Sequence, residues 1–400
     1  MKVMLLSNMD FSGAGNAAVK IYRMLKRNNF DCSLYVNEKK TKYSKKFSLS
    51  FKERVKEDFR KLIYSSTNRL INLHTKNYYK SLGIFDSGYS KIINKLDYDI
   101  VQLHWINGFL SINDIVNINK PIIWRFSDFW PCSGIYHYEN FENYEQNYFL
   151  SKINNFIKKL KSDLWNKQLN IITPSKWMEN ELKKSRTFKN YSVDVIYTPV
   201  NNNIFRKFDT ENVRKKNGIN TKKKILLFGA DNLQDKRKGF SDVIEIFKSN
   251  YLSKKEYELI TFGKSSEVLN KIEDLKVYNF GFIESKEKLN EIYNCADVML
   301  ITSSVDNLPQ VGLEAQMSGL PLIVYNNSGL VELIQKGKTG LIAENKSIVS
   351  LSKQIRLFFD NENLKKEFSF NSVIRANKSF SENVVYQKYQ NIYNNIYKKK

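Results

Sequence analysis

Asp306 and Glu314 stand with seven residues between them, inside a stretch from Thr302 to Gly340 that reads TSSVDNLPQVGLEAQMSGLPLIVYNNSGLVELIQKGKTG. Asp306 falls in polar loop just after an apolar strand, Asp297 to Thr302. Glu314 falls in a helix that Pro309 is placed to open, because the missing proline N–H lies where a helix has no intrahelical partner to lose. Two carboxylates bracketing the bare N–H groups of a helix start suit one kind of ligand. The N–H groups and the helix dipole attract phosphate, and the carboxylates accept hydrogen bonds from sugar hydroxyls. A sugar joined to a diphosphate satisfies both. The helix carries Val311, Leu313, Ala315 and Met317, ends near Gly319 and gives way to an apolar strand, Pro321 to Tyr325. Strand, loop, helix, turn and strand make one βαβ unit.

A second concentration of chemistry lies earlier. The strand Ile100 to Leu103 runs into His104-Trp105-Ile106-Asn107-Gly108-Phe109, and the strand Pro121 to Arg125 runs into Phe126-Ser127-Asp128-Phe129-Trp130-Pro131, with Ser133 to Tyr138, including His137, close behind. This density of Trp, His, Asp and Tyr at two strand ends fits a wall on which pyranose rings stack. A buried aromatic cluster is the alternative; it explains the tryptophans and leaves the Asp and His beside them without a role. Gly13, Gly15 and Ala18, with Glu38 about 20 residues on, imitate a dinucleotide fingerprint. Six polar or bulky residues, Ser7 to Ser12, separate the strand from the first glycine, so a loop that brings backbone N–H groups near a phosphate fits better than an NAD site. Asp97-Tyr98-Asp99 has metal-binding spacing but sits at a strand start, away from the carboxyl end where ligands bind in such sheets.

These residues need strands and helices in alternation, and the chain supplies them. Val3 to Ser7 and Phe30 to Val36 flank a helix with Ala17, Ala18, Ile21, Tyr22 and Leu25 at helical spacing. Asn170 to Thr173 enters a helix from Lys176 to Lys184 capped by Ser175. The second half alternates from Lys224 to Phe228, a helix after Lys238, Leu259 to Phe262, Val277 to Phe280, and a helix from Lys286 to Cys295. At 400 residues two domains are expected. They are 1–200 and 201–379, joined at the Thr198 to Asn203 linker, with a C-terminal helix, 380–400, packing back on the first.

The formal charge of +23 calls for a phosphorylated substrate, an anionic membrane or nucleic acid. With no arginine-rich tract, zinc finger or RNP-like aromatic motif, nucleic acid ranks last; a Lys, Asn and Ile-rich coding bias is the neutral explanation. Lys39 to Lys80 holds 13 Lys or Arg against 3 Asp or Glu. Within it Phe51, Val55, Phe59, Leu62, Ile63, Leu70 and Ile71 recur near helical spacing beside Lys52, Arg54, Lys56, Arg60 and Lys61. Such a helix lies on an anionic bilayer, or is a surface helix with its stripe in the core. Cys32, Cys132 and Cys295 form no pair, so no disulfide framework or metal is expected. The N-terminus lacks a signal-peptide pattern and no run reaches membrane-spanning length, which predicts a cytoplasmic protein.

Taken together, the glycine loop after the first strand, TPSKWM, the Lys-Gly at Lys238-Gly239 and DNLPQVGLEAQMSGLPLIV resemble glycosyltransferase family 4, the retaining GT-B enzymes. HWINGF with WRFSDFWPCSG resembles, more narrowly, bacterial members that build exopolysaccharide, capsule or lipopolysaccharide. The resemblance implies an α/β fold of two Rossmann-like doubly wound αβα domains facing each other across a cleft. It implies a UDP-, GDP- or dTDP-linked nucleotide-sugar donor, a saccharide or lipid-linked saccharide acceptor, no cofactor and no metal, and a place at the inner face of the plasma membrane. Asp306 would meet the sugar hydroxyls and Glu314 the ribose, with Asp where Glu is usual. Diphosphate would be held by Asn307, Gln310 and the N–H groups of Val311, Gly312 and Leu313, by Lys238, and by the glycine loop of Gly13 and Gly15. Ala230 stands where relatives carry Arg, which leaves Lys236 or Arg237 to supply the second charge. Ser127 stands where many carry His. Asp128, His104 and His137 are the nearby groups for hydrogen bonding to donor or acceptor, with Trp105, Asn107, Ser127 and Trp130 on the acceptor side. The mechanism implied is front-face, the leaving diphosphate helping to deprotonate the acceptor. A non-catalytic sugar- or nucleotide-binding scaffold is the alternative.

Overall fold

The structure, a computed structural model, describes residues 1–72, 80–138, 148–165, 169–219, 222–264 and 274–399. They form two compact units, Met1–Ile196 with Tyr386–Lys400, and Tyr197–Val385.

The first unit is built on a parallel sheet of β1 (Val3–Met9), β2 (Cys32–Glu38), β3 (Ile100–Leu103), β4 (Ile122–Arg125), β5 (Asn170–Thr173) and β6 (Val193–Val195). Its spatial order is β2-β1-β3-β4-β5-β6. Val3, Met4, Leu5 and Leu6 of β1 are buried on both faces, as an unbroken apolar run in a parallel sheet requires. β1 pairs with β2 from Val3 opposite Cys32 and with β3 from Val3 opposite Ile100. It runs two residues beyond the expected end at Ser7. Its polar residues are satisfied there: the Asn8 N–H donates to the Trp105 carbonyl at 2.6 Å and the Asn37 amide donates to Asn8 Oδ1 at 3.0 Å. Helix α1 (Ser12–Arg27) therefore begins three residues after the strand, and Gly13 and Gly15 lie in its first turn. This corrects the expected glycine loop. Asp10, just before the helix, is buried and accepts hydrogen bonds from the Lys40 and Thr41 N–H groups and the Thr41 and Ser44 hydroxyls.

Next comes α2 (Phe51–Asn72), opened by a capping box: the Glu53 carboxylate accepts from the Ser50 N–H at 2.8 Å and its hydroxyl at 2.7 Å. Most of its stripe stays out of the core, and only Ile71, at the far end, enters it. Phe51, Val55, Phe59, Leu62 and Leu70 are 54% to 82% exposed, whereas Glu57 and Arg60 are 4% and 7% exposed. Helices α3 (Tyr89–Lys95), α4 (Ile112–Val116), α5 (Tyr148–Leu164) and α6 (Lys176–Lys184) complete the unit's first stretch.

The second unit's sheet contains β7 (Lys224–Asn232), β8 (Tyr257–Lys264), β9 (Val277–Asn279), β10 (Val298–Ile301), β11 (Leu322–Tyr325) and β12 (Gly340–Ala343). All pairings are parallel and the order is β12-β11-β10-β7-β8-β9. Around it lie α7 (Thr210–Lys216), α8 (Phe240–Lys248), α9 (Lys286–Cys295), α10 (Gln310–Met317), α11 (Ile348–Phe359) and α12 (Glu362–Phe380). The Thr198 to Asn203 stretch lies just inside the start of this unit, where the Val200 N–H donates to the Phe380 carbonyl at 2.8 Å. The last helix, α13 (Glu382–Tyr397), passes into the first unit, where Tyr389 and Tyr393 are fully buried. The Tyr393 hydroxyl donates to Gln102 Oε1 at 2.5 Å, tying the chain's end to β3. Tyr393→Phe leaves that buried carbonyl unsatisfied, and urea unfolding should register a loss of about 1 to 3 kcal/mol.

Candidate active site

In each sheet the strand order reverses once, between β1 and β3 in the first unit and between β7 and β10 in the second. Ligands of open α/β sheets bind outside the carboxyl ends of the strands at such a point, because the loops there diverge to opposite faces and leave a crevice. The Asp306 loop follows β10, and Lys238 follows β7.

The two loops are fastened to each other. After β7 the Asp235 side chain accepts from the Arg237 N–H at 3.0 Å and closes a single 3₁₀ turn, Lys236–Lys238. Gly239 ends it at φ +74°, where a Cβ would lie 2.0 Å from the Thr302 carbonyl oxygen; no other residue allows this approach. The Thr302 hydroxyl donates to the Gly239 carbonyl at 2.8 Å, and the Ser304 N–H to the Arg237 carbonyl at 2.8 Å. Lys238 and Arg237 are thereby aimed at Asp306. Lys238 Nζ is ion-paired with Asp306 Oδ2, and Arg237 NH1 lies 3.5 Å from the same oxygen. Lys236 is exposed, so of these two residues it is Arg237 that lies beside Asp306. Burial by itself would raise the Asp306 carboxyl; Lys238, Arg237 and the Asn307 N–H outweigh it and hold it below its usual value.

From the other side the loop rests on the 3₁₀ segment Ser328–Leu333. The Gly329 N–H donates to the Asp306 carbonyl at 3.1 Å, the Asp306 N–H donates to Ser328 Oγ at 3.1 Å, and a Cβ on Gly329 would sit 1.4 Å from the Asn307 carbonyl oxygen. Pro309 is the N-cap of α10, one position before the expected one. The Gly312 N–H donates to the Pro309 carbonyl at 3.1 Å, and in an α-helix that begins at Gln310 the Leu313 N–H faces the same carbonyl. Glu314 is buried on α10, and its Oε2 accepts from the Tyr293 hydroxyl at 3.1 Å. Sequence reasoning missed Tyr293, Ser328 and Gly329. Only the turn-like composition of NNSGL hinted at the last two.

In the first unit the structure assembles Asp128, Trp105 and His137. Asp128 Oδ2 accepts from Trp105 Nε1 at 2.9 Å and from His137 Nδ1 at 2.5 Å, and Oδ1 accepts from the Trp130 N–H at 3.1 Å. His137 Nε2 lies 2.8 Å from Ser81 Oγ. With Nδ1–H on the carboxylate, Nε2 accepts from Ser81. This has the connectivity of a nucleophilic triad, but Ser81 is completely buried, so the chain of bonds holds the loop rather than attacking a substrate. Ser81, 56 residues from His137, had no signal in the sequence.

Two expectations, Trp130 and His104, are corrected by their surroundings. Trp130 is fully enclosed, its Nε1 donating to the Ser81 carbonyl at 2.8 Å. The Lys161 ammonium lies 3.5 Å from its ring centre and donates to the Ser133 and Gly134 carbonyls at 3.1 and 2.7 Å. With Trp124 and Trp165, whose rings are 4.9 Å apart, Trp130 belongs to a core cluster and not to a stacking wall. His137 and Asn107 are buried as well. His104 lies beneath the loop, 3.0 Å from Gln102 Nε2; burial, aided by the Arg125 charge, pushes its imidazole down to about 3, so it exchanges no proton near neutrality. Trp105 and Ser127 are only partly buried. Among the described residues no group of three or more His, Cys, Asp or Glu is placed to hold a metal.

The profile of the family Glycosyl transferases group 1 matches residues 209–373, which lie wholly in the second unit and include the Lys238, Asp306 and Glu314 arrangement. This stretch, and so the second unit, is similar to the group 1 glycosyl transferases. The match is independent of the overall fold, and the fold agrees with it. The sucrose-phosphate synthase of Thermosynechococcus elongatus superposes with a TM-score of 0.73 over 100% of both chains at 12% identity. Anabaena Alr3699/HepE, solved in complex with UDP and glucose, superposes with a TM-score of 0.65 at 13% identity over 98% of this chain and 99% of its own. Both are structural likenesses, and they show a two-domain α/β protein of GT-B fold. In sequence it is 34% identical to the putative colanic acid biosynthesis glycosyl transferase WcaC of Escherichia coli K12, over 35% of this chain and 33% of that protein. The first curated relatives are matched over 63%, 55% and 44% of their own lengths.

His104 gives the protein a pH signature. The unfolded imidazole takes a proton below about 6.5, and the folded one stays neutral until about 3. Its contribution to stability is thus present above pH 6.5 and lost as the pH falls towards 3. Between pH 7 and pH 5 the wild type should lose about 2 kcal/mol more than His104→Gln in urea unfolding. Parallel pH dependence in the two proteins would refute the assignment.

Proposed function

We propose that the chain is a retaining glycosyltransferase that moves a sugar from a nucleotide-diphosphate donor to a saccharide or lipid-linked saccharide acceptor in bacterial surface-polysaccharide synthesis, at an anionic membrane face. The observation that carries this reading is the convergence of Lys238, Arg237 and Asp306 beside the start of α10, with Glu314 one turn into the helix. A diphosphate would take Lys238 and Arg237 from Asp306, leaving that carboxylate to accept from sugar hydroxyls while Glu314, held by Tyr293, accepts from the ribose. HepE, whose structure holds UDP and glucose, and WcaC, named for colanic acid biosynthesis, support a nucleotide-sugar donor and a polysaccharide product.

In the step proposed, the bond from the anomeric carbon to the diphosphate oxygen breaks and a bond from the acceptor oxygen forms on the same face. The acceptor proton passes to the departing phosphate oxygen. The protein supplies fixed positive charge where negative charge grows, and alignment. Lys238 and Arg237 provide that charge, so the step is written without a metal. A second reading, donor binding without transfer, draws on Asp128, whose two oxygens already accept three hydrogen bonds, and on Ser127 where relatives carry His. Transfer of radiolabelled sugar into membrane lipid extracts separates the two.

Isothermal titration tests the donor site, with UDP-linked sugars first and GDP- and dTDP-linked sugars beside them. Lys238→Ala should weaken donor affinity about 10- to 100-fold, the worth of a charge-assisted hydrogen bond, and Glu314→Gln should weaken it about tenfold. Unchanged titrations in both variants would remove the assignment.

A further inference from the structure

We propose that Tyr197, Glu332 and Arg375 form a clamp behind the donor site: they are positioning residues, which touch no substrate and hold Asp306 in place through the segment Ser328–Leu333. The proposal deepens the donor reading above and rests on it. One end of that segment carries Ser328 and Gly329, which meet the Asp306 N–H and carbonyl. The other end carries Glu332 and Leu333, and its fastening comes from far along the chain. Arg375, on α12, donates from NH2 to the Glu332 carbonyl and from NH1 to the Leu333 carbonyl. The same NH1 donates to Gln316 Oε1 at 2.8 Å, and Gln316 Nε2 donates to the Leu333 carbonyl at 2.6 Å. Gln316 is completely buried on α10. One guanidinium thus fixes both the helix that bears Glu314 and the segment that supports Asp306. The Glu332 side chain is held in turn, because the Tyr197 hydroxyl donates to its Oε1 at 2.8 Å.

The bland alternative has Arg375 only joining α12 to α10. That task is already done: the Ser369 hydroxyl, on the same helix, donates to the Gly319 carbonyl at 2.6 Å just past the end of α10. Burial also works against the Arg375 charge and pulls its guanidinium below its ordinary value, so the group stays there against a desolvation penalty. The place of the clamp gives it a further consequence. Tyr197 is where the chain enters the second unit, and Phe380 ends α12 shortly before the chain leaves it. The two rings meet edge to face with centres 6.2 Å apart, and the Arg375 guanidinium lies 5.8 Å from the Phe380 ring centre. With the Val200 N–H on the Phe380 carbonyl, entry and exit are fastened to each other and to the segment under Asp306. Coupling of this kind is reciprocal. A clamp that favours donor binding is itself tightened when the donor binds.

Isothermal titration with UDP-, GDP- and dTDP-linked sugars compares wild type with Tyr197→Phe and Arg375→Lys, each first shown to be folded by its thermal transition. Tyr197→Phe should weaken donor affinity about fivefold and Arg375→Lys about tenfold, the worth of one or two hydrogen bonds. A Ser328→Ala background separates positioning from loosened packing. There Tyr197→Phe should lose most of its effect, since the link to the Asp306 N–H is already cut, whereas a packing defect would simply add. Hydrogen exchange gives a readout other than affinity: at saturating donor the peptide holding Val200 should exchange more slowly in wild type and not in Arg375→Lys. The proposal fails if both variants bind donor as wild type does, if Tyr197→Phe costs as much in the Ser328→Ala background, or if donor leaves exchange at Val200 unaltered in wild type. Should Arg375→Lys not fold, Tyr197→Phe in the two backgrounds decides. If wild type binds none of the three donor classes, the donor reading falls and takes the clamp with it. Wild-type binding that Lys238→Ala weakens, with normal binding by both clamp variants, overturns the clamp alone.

Discussion

A carboxylate buried between a lysine and an arginine is stable only where both cations are held in place, and in the second unit that condition governs the loops after β7 and β10. Asp306 cannot be ionised and enclosed without Lys238 and Arg237. Those two side chains reach it because the Gly239 turn touches the Thr302 carbonyl. The contact leaves no room for a Cβ, so a packing requirement and an electrostatic one meet at a single glycine. The same loop is held from below by Ser328 and Gly329. The result is a loop fastened on two sides, with two cations turned to one carboxylate oxygen.

The first unit solves a different problem. Its loop after β4 is long, aromatic and mostly enclosed, and its polar groups need partners. Asp128 serves Trp105, His137 and the Trp130 N–H, while Lys161 serves two carbonyls of the same loop and the face of Trp130. Residues whose types suggest catalysis are occupied in holding a surface together. What the network leaves at that surface is Trp105, oriented through its indole N–H, and Ser127.

Helix α2 follows from the same economy of buried charge. Turning its ion pair inward gives the Gly108 carbonyl a donor and leaves Phe51, Val55, Phe59 and Leu62 exposed. Among the described residues no helix is long and apolar enough to cross a membrane.

Periodicity and turn chemistry in the sequence determined the alternation of strands and helices, the βαβ unit from β10 to β11 and the placing of Asp306 and Glu314 on either side of a helix start. These are local properties, set within a few residues of one another. Tertiary structure alone decided which loops touch, and so which of Lys236 and Arg237 meets Asp306, and why Tyr293, Ser328 and Gly329 matter. It also decided burial. The sequence shows that Trp130, His104 and His137 neighbour strand ends, but enclosure depends on Ser81, Lys161 and the Tyr393 helix, which lie tens to hundreds of residues away along the chain. In α2 the spacing of apolar residues determined that they share a face. Which way that face turns was set by the Glu57 and Arg60 pair and by Gly108, because a helical repeat fixes neighbours around an axis and leaves the rotation of that axis to whatever packs against it.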